Sequence, residues 1–456
     1  MIDVSNLPVA VIGAGPIGLA AAAHLVARGI PVRVYESGRS VGENVRDWSH
    51  VRIFTTWTQS VDTASRALLE KHGWRMARPD ALPTGGDLYD SYLKPLAETP
   101  ELAPHIEIGA KVTAISRWGI DKVGSKGRAE KPFRLEIAGH DGVREVLARA
   151  VIDASGTWQN QNPLGASGLP ARGEREHRAW LAYGMPDVLG RDRQTYAGRR
   201  VVVIGGGYSA INVLLNLAAL GEAVPGTEIT WVVRGTNLAR IYGGGEADEL
   251  PARGGLGQRL KGLVKRKTIT LITGFLAQAV CKTADGVVID GETSAGSMQI
   301  PAADRIVVAT GQRPDLQMTR ELRLELDPWL ESTRALGPLI DPNLHSCGSV
   351  PPHGHRETSH PEPGLYTIGV KSYGRAPTFL LLTGYEQARS VAAAIAGDMA
   401  AADDVHLELP ETGICQDDAD AEGCCGDPVA VAHPSCCGAE KMEPVRVAVL
   451  ERGQPA

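Results

Sequence analysis

Residues Pro8 to Glu36, PVAVIGAGPIGLAAAAHLVARGIPVRVYE, leave a chain few folds to choose from. The apolar run Val9 to Ile12 predicts a buried parallel strand. It turns at once into Gly13-Ala14-Gly15-Pro16-Ile17-Gly18, and an Ala- and Leu-rich helix follows over Leu19 to Ala27. A second strand, Val32 to Tyr35, ends in Glu36. In such a unit Gly13 permits the tight turn, Gly15 lets a pyrophosphate approach the backbone, and Gly18 lets helix and strand pack closely. The helix N-terminus, opened by Pro16, offers unpaired N–H groups to phosphates. Glu36 can accept a hydrogen bond from a ribose hydroxyl. An ordinary crossover with packing glycines is the alternative, and the strand, helix, strand and terminal acid together favour the dinucleotide site.

The same pattern returns at Arg200, RVVVIGGGYSAINVLLNLAALG. Gly205, Gly207 and Ala210 follow the strand Val201 to Ile204, Ser209 lies at the helix opening, and the helix is expected over Ala210 to Leu220. The next strand, Ile229 to Val233, ends in Arg234 where the first unit ends in Glu36, and Arg240 follows shortly after. An acid there favours a free ribose 2′-hydroxyl, whereas arginine suits a 2′-phosphate. The contrast assigns FAD to the first unit and NADPH to the second; either arginine could instead be a solvated surface charge.

Each unit is trailed by a strand that ends in small residues, Ala150 to Gly156 (AVIDASG) and Arg305 to Gly311 (RIVVATG). Gly156 and Gly311 let the chain leave the sheet close to a bound dinucleotide. After Glu36, a loop with a short helix carries Gly42, Asn44, Arg46 and Trp48, side chains suited to a flat ring system. Residues Gly86 to Glu98 have helical spacing, with Pro95 expected to bend or end the helix. Glu107 to Trp118, Phe133 to Ala138 and Val143 to Ala148 predict a small antiparallel element, whose Val112 joins the candidate cofactor contacts. Ile241 to Arg266, rich in glycine and basic residues, predicts a mobile surface loop, and strands resume at Thr268 to Ile272, Ala279 to Lys282 and Val287 to Ile289. Pro314 to Gly364 predicts mostly loop; its histidines 345, 353, 355 and 360 lack metal-site spacing and fit a surface loop better. Gly364 to Ala396 predicts a strand, a turn at Gly369 near the flavin ribityl chain, and a helix opening near Thr378 toward the flavin's pyrimidine edge.

At 456 residues, the chain accommodates two or three domains. A net charge of −6 argues against a nucleic-acid partner, and no apolar run has the length of a membrane span. The N-terminus enters the first strand almost directly, so a cytoplasmic protein without a secretory signal is expected. Of seven cysteines, Cys281 and Cys347 are solitary, while Cys415, Cys424, Cys425, Cys436 and Cys437 crowd an acidic tail expected to be flexible. These thiols can hold a thiophilic ion such as arsenite, and zinc is less suited to the adjacent pairs. Overall, an α/β chain with two Rossmann-like domains is expected: FAD domain 1–165, NADPH domain 166–325, FAD completion 326–399 and tail 400–456.

On these residues, over roughly 5 to 397, the chain resembles the two-dinucleotide-binding flavoproteins, and within them class B flavin-dependent monooxygenases and thioredoxin-reductase-like enzymes. GENVRDW, GGGYSA, KSYGRAPTFLLLTGYEQ and the cysteine tail are most similar to flavoprotein monooxygenases of arsenic-resistance gene clusters. There are two departures. The core holds no C-x2-C or C-x4-C, and the FxGxxxHxxx(Y/W) fingerprint is replaced by LPARGEREHRAWLAYGMPDVLG. The resemblance implies hydride transfer from NADPH to flavin, then oxygen as partner and a small soft nucleophile, a thiol or trivalent arsenical, as substrate. A reductase feeding the Cys-Cys pairs and a non-catalytic metal-sequestering protein stay open, as does a homodimer. Arg46, Trp48 and Lys371 stand nearest the cofactor segments, and no catalytic acid or base is assigned.

Overall fold

The computed structural model describes residues 3–76, 78–344 and 350–410. The chain divides into two units, Met1–Gln416 and Asp417–Ala456, and the second lies outside the described residues.

The first unit is built twice on one plan. β1 (Val9–Ile12) and β2 (Val32–Tyr35) pair in parallel across the helix Pro16–Ala27, and β3 (Ile106–Glu107) adds beyond β2. β4 (Lys111–Arg117), β5 (Phe133–Gly139) and β6 (Gly142–Ala148) form an antiparallel sheet, after which β7 (Ala150–Asp153) returns beside β1. The chain then builds a second parallel sheet with β8 (Leu181–Tyr183), β9 (Arg200–Ile204), β10 (Glu228–Val232) and β11 (Thr270–Ile272). A second antiparallel meander follows: β12 (Leu276–Thr283), β13 (Gly286–Thr293) and β14 (Gly296–Ala303). β15 (Arg305–Val308) returns between β9 and β8. Finally β16 (Leu365–Thr367) goes back to the first sheet, giving the orders β16-β7-β1-β2-β3 and β11-β10-β9-β15-β8. β1 and β7 are buried at every residue, as strands covered on both faces must be, and therefore read as unbroken apolar runs.

The helix Pro16–Ala27 is buried nearly all round. One side faces the sheet and another meets the helix Leu381–Ala396, where a Cβ on Gly384 would lie 2.5 Å from Ile17 Cδ1. The expected helix at 86–98 runs from Gly85 to Ala97 with a π turn over Tyr89–Leu93. Pro95 cannot donate to the Ser91 carbonyl four residues back; the Trp74 indole N–H donates to it instead, at 2.7 Å. This substitute donor keeps the helix going past its proline.

Three expectations are corrected. Pro251–Lys265 is a helix and not part of a surface loop. Its glycines permit backbone contact: a Cβ on Gly254 would lie 2.1 Å from the Gly245 carbonyl oxygen, and one on Gly257 2.0 Å from that of Tyr242. His353, His355 and His360 are buried, with polar partners at Pro351 O, Asp403 and Thr367, so they are interior histidines, although His360 Nδ1 has no hydrogen-bond partner; His345 lies outside the described residues. Residues 400–410 are docked. After the helix Met399–Asp403, Arg389 donates to the Asp404 carbonyl, His406 N–H donates to Glu386 at 3.0 Å, and Arg253 donates to the Pro410 carbonyl at 3.1 Å. Among the described residues, no helix is long and apolar enough to cross a membrane.

Candidate dinucleotide sites

The carboxyl ends of β1, β7 and β16 meet at one crevice. Gly13 turns there with φ +95°, and a Cβ on it would lie 2.8 Å from the Ala154 carbonyl oxygen. A Cβ on Gly18 would lie 1.9 Å from the Gly13 carbonyl oxygen, so helix and turn touch backbone to backbone. Gly15 differs: nothing stands within 4 Å of its would-be Cβ. It precedes Pro16 at a helix N-terminus with no side-chain cap, which leaves space and donors for a pyrophosphate. Glu36 is buried and accepts from the N–H groups of Ala14 and Gly38, each at 2.7 Å, tying the strand end to the glycine turn.

Gly156 (φ +70°) and Gly369 (φ +72°) also converge here, since a Cβ on Gly156 would be 3.7 Å from Val370 and one on Gly369 3.3 Å from Ile17. The helix Leu381–Ala396 opens three residues later than expected, and Thr378 lies in the extended run before it. Thr378 Oγ1 is buried with no hydrogen-bond partner, an orphan polar atom just ahead of the helix that packs on Ile17. Turn, uncapped helix end, ribose-level acid and orphan hydroxyl fit a flavin dinucleotide.

The second crevice repeats the first. Gly205 turns with φ +135° against the Ala309 carbonyl oxygen, 2.1 Å from its would-be Cβ, and Gly207 again faces open space at an uncapped helix N-terminus. That helix begins at Tyr208, earlier than expected, so Ser209 lies within its first turn. Arg234, exposed just past β10, donates to the Ala166 carbonyl at 3.0 Å, and Arg240 to the Pro342 carbonyl at 3.3 Å. Arg240 lies on the short helix Ala239–Tyr242, whose Ile241 would be 2.7 Å from a Cβ on Gly206, beside the glycine turn. One carbonyl leaves most guanidinium donors of each arginine to a phosphate.

Other expected residues are placed more loosely. Gly42 (φ +60°) donates to the Ala14 carbonyl at 2.9 Å, which hooks its loop over the glycine turn. Asn44 accepts from Gln159 at 2.7 Å, and Arg46 lies over the Tyr89 ring at 5.1 Å. Trp48 packs against Gly85, where a Cβ would meet its ring at 2.5 Å, so its role in the fold is filling that notch. Val112 is buried beneath Ile12 and Tyr35. Gly311 accepts from Asn162 N–H at 2.9 Å, where the two chain crossings between the sheets are stitched together. Cys415, Cys424, Cys425, Cys436 and Cys437 lie outside the described residues.

Several participants were not singled out from sequence. Phe54, between β2 and β3, packs in a tilted ring contact at 5.1 Å against Tyr208, the first residue of the second site's helix. Trp158 donates to Asp47 at 2.8 Å and covers Gly184 of the second half. Glu174, within the stretch that replaces the monooxygenase fingerprint, is buried and accepts from Leu164 and Ala171 N–H and from the Tyr183 hydroxyl. Phe54 and Trp158 carry no spacing signal because their partners are distant in sequence, whereas the partners of Glu174 are local but follow no periodic pattern.

Residues 10–335 match the family described as pyridine nucleotide-disulphide oxidoreductase. The indole-3-pyruvate monooxygenase YUCCA1 of Oryza sativa subsp. japonica is 26% identical over 220 residues, 46% of this chain and 45% of the relative, so the match spans under half of that protein. The fold is similar to that of bacillithiol disulfide reductase Bdr (YpdA) from Bacillus cereus, with TM-score 0.63 and 18% identity over 86% of this chain and 99% of that one. It is also similar to the ornithine N-hydroxylase of Kutzneria sp. 744, with TM-score 0.58 and 16% identity over 85% and 98%. A flavin-containing monooxygenase from Stenotrophomonas maltophilia aligns at TM-score 0.52 and 19% identity over 86% and 98%. With two glycine-turn crevices and a family match over residues 10–335, the chain belongs to the pyridine nucleotide-disulphide oxidoreductase family.

Proposed function

We propose that this enzyme is a monooxygenase that oxidises a soft nucleophile, a thiol or a trivalent arsenical. The observation that carries the reading is the environment of Cys281, the one cysteine among the described residues. It sits on β12 of the outer meander, hydrogen-bonds to Asp290, and is held above the ordinary thiol range by burial and that carboxylate. Such a thiol is a poor relay, and electrons leaving the flavin have oxygen as their natural acceptor.

In this reading Gly13, Gly15, Pro16 and Gly18 seat the FAD pyrophosphate against the helix N-terminus, Glu36 takes its ribose, and Gly156, Gly369 and Thr378 bound its ring end. Gly205, Gly207 and Ser209 seat the NADPH pyrophosphate, and Arg234 with Arg240 take its 2′-phosphate. When bound, FAD takes two electrons as hydride from NADPH and passes them to oxygen, one oxygen atom going to the substrate and the other to water. The Phe54–Tyr208 contact and the Trp158–Asp47 hydrogen bond tie segments of the first half to the second.

The test is stoichiometry: one NADPH and one oxygen consumed per oxidised thiol or arsenical. NADPH oxidation that yields only reduced oxygen with every such substrate would sink the reading. A reductase is the second reading. There, the tail that follows Pro410 carries thiols Cys424-Cys425 or Cys436-Cys437 to the flavin, as a reductase or with a bound thiophilic ion. Ending the chain after Pro410 separates them: oxygenase turnover survives the cut, and a tail-dependent reductase is lost with it.

A further inference from the structure

The matched segments AVIDASG and RIVVATG differ in chemistry at one buried position: Asp153 stands where the second sheet has Val308. Asp153 is 1% exposed at the end of β7, and Lys371, 3% exposed, lies on the turn Gly369–Tyr373 after β16. Lys371 Nζ is 2.7 Å from Asp153 Oδ2 and 3.1 Å from Ser155 Oγ, and Ser155 Oγ in turn donates to Asp153 Oδ1 at 2.6 Å. Desolvating two such charges costs several kcal/mol per ion before their attraction returns it, and Val308 shows that the sheet position needs no charge. The pair stands beside the glycine turn of the first crevice, since a Cβ on Gly13 would lie 3.1 Å from Ser155 Cα. Asp153 ends the strand that leads to Gly156, and Lys371 follows Gly369, the two glycines assigned above to the ring end of FAD.

We propose that the Lys371–Asp153 pair sets the electron affinity of the flavin. Flavin gains negative charge on reduction, and in a buried site an ammonium favours that change while a carboxylate opposes it. Lys371 raises the reduction potential and Asp153 holds the rise in check, a tuning role that acts through charge. The inference rests on the seating of FAD at the Gly13–Gly18 crevice.

The experiment is potentiometric titration of the FAD-loaded full chain, without NADPH, for wild type, K371Q and D153N. Both substitutions keep a polar side chain in place and change charge in opposite directions. K371Q should lower the potential and D153N raise it, each by about tenfold in the oxidised-to-reduced equilibrium, or about 30 mV for a two-electron couple. The double variant K371M/D153V, which copies the Val308 solution, should fall between the two. Shifts of the same sign, or none, in proteins that retain flavin overturn the proposal and leave a structural clamp. If one single variant fails to fold, the sign of the other decides alone. G15V tests the seating itself: flavin retained in G15V overturns the crevice assignment, whereas flavin lost in G15V with unsplit potentials overturns the tuning alone.

Discussion

The two nucleotide crevices share what a pyrophosphate demands and differ in everything else. Gly13 and Gly205 both turn with positive φ against a trailing alanine carbonyl, and Gly15 and Gly207 both face open space at uncapped helix ends. The third position diverges: the would-be Cβ of Gly18 meets a carbonyl oxygen at 1.9 Å, while the second crevice accommodates Ala210. The strand ends diverge in charge, buried Glu36 against exposed Arg234. One backbone solution is thus repeated within the molecule, while helix approach and the charge at the strand end are set separately in each half.

The largest effect should come from Gly18→Ala. Its methyl cannot be accommodated without moving the helix off the turn, an overpacking cost of about 3 kcal/mol with loss of the phosphate geometry. Purified protein should carry less than a tenth of the wild-type flavin, read from visible absorbance, while NADP+ affinity measured by calorimetry stays within about twofold. Equal losses at both sites would break the independence of the two crevices.

Acid should also strike the first half. His360, beside Thr367 and under the charge of Asp153, is pushed by burial down to about 4. Unfolded, it titrates near 6.5. Between those values the unfolded chain takes up a proton that the folded chain refuses, so the stabilisation present above pH 6.5 falls away as pH drops to about 4. The shift corresponds to at most about 3 kcal/mol. Burial lowers His353 in the same direction. Thermal melts of H360Q should show a flatter acid limb than wild type; an unchanged limb would falsify this assignment.

Arg234 and Arg240 sharpen the comparison at the strand ends. Charge-assisted bonds to a phosphate contribute about 1.5–3 kcal/mol. R234E/R240E should therefore lower the preference for NADPH over NADH, as a ratio of kcat/KM, by about 10- to 100-fold. Flavin content should not change. A ratio that stays put would return both arginines to the solvated surface.

Both crevices were legible in sequence because their signals are local. Each glycine answers to a turn, a ligand or a helix within ten residues, and β1 and β9 are apolar runs because both faces are covered. What stayed hidden depends on partners that no periodic spacing marks. Four glycines in Pro251–Lys265 spell a loop by propensity, yet the carbonyls of Tyr242 and Gly245 make two of them, Gly254 and Gly257, a packing surface. The buried histidines look like loop residues until Tyr373, Asp403 and Thr367 supply their bonds. Polar 404–410 resembles the start of a free tail until Arg389, Glu386 and Arg253 hold it. Asp153 was in view but unremarked; its signal was the mismatch with Val308 in the partner segment.

The smallest effect is the mirror of the first. Ala210 lies in the helix Tyr208–Ala223 and is fully buried, at the position equivalent to Gly18. Ala210→Gly removes one methyl and adds backbone freedom to the unfolded chain, which together should cost about 1 kcal/mol, with no clash to relieve. Melting temperature should drop by a few degrees, and NADP+ affinity should stay within about threefold because Gly205 and Gly207 keep the phosphate cradle. If the glycine instead tightens NADP+ binding, the second helix is held off its turn by that methyl. The wider approach would then be a property of residue 210 alone and not of how the second half is packed.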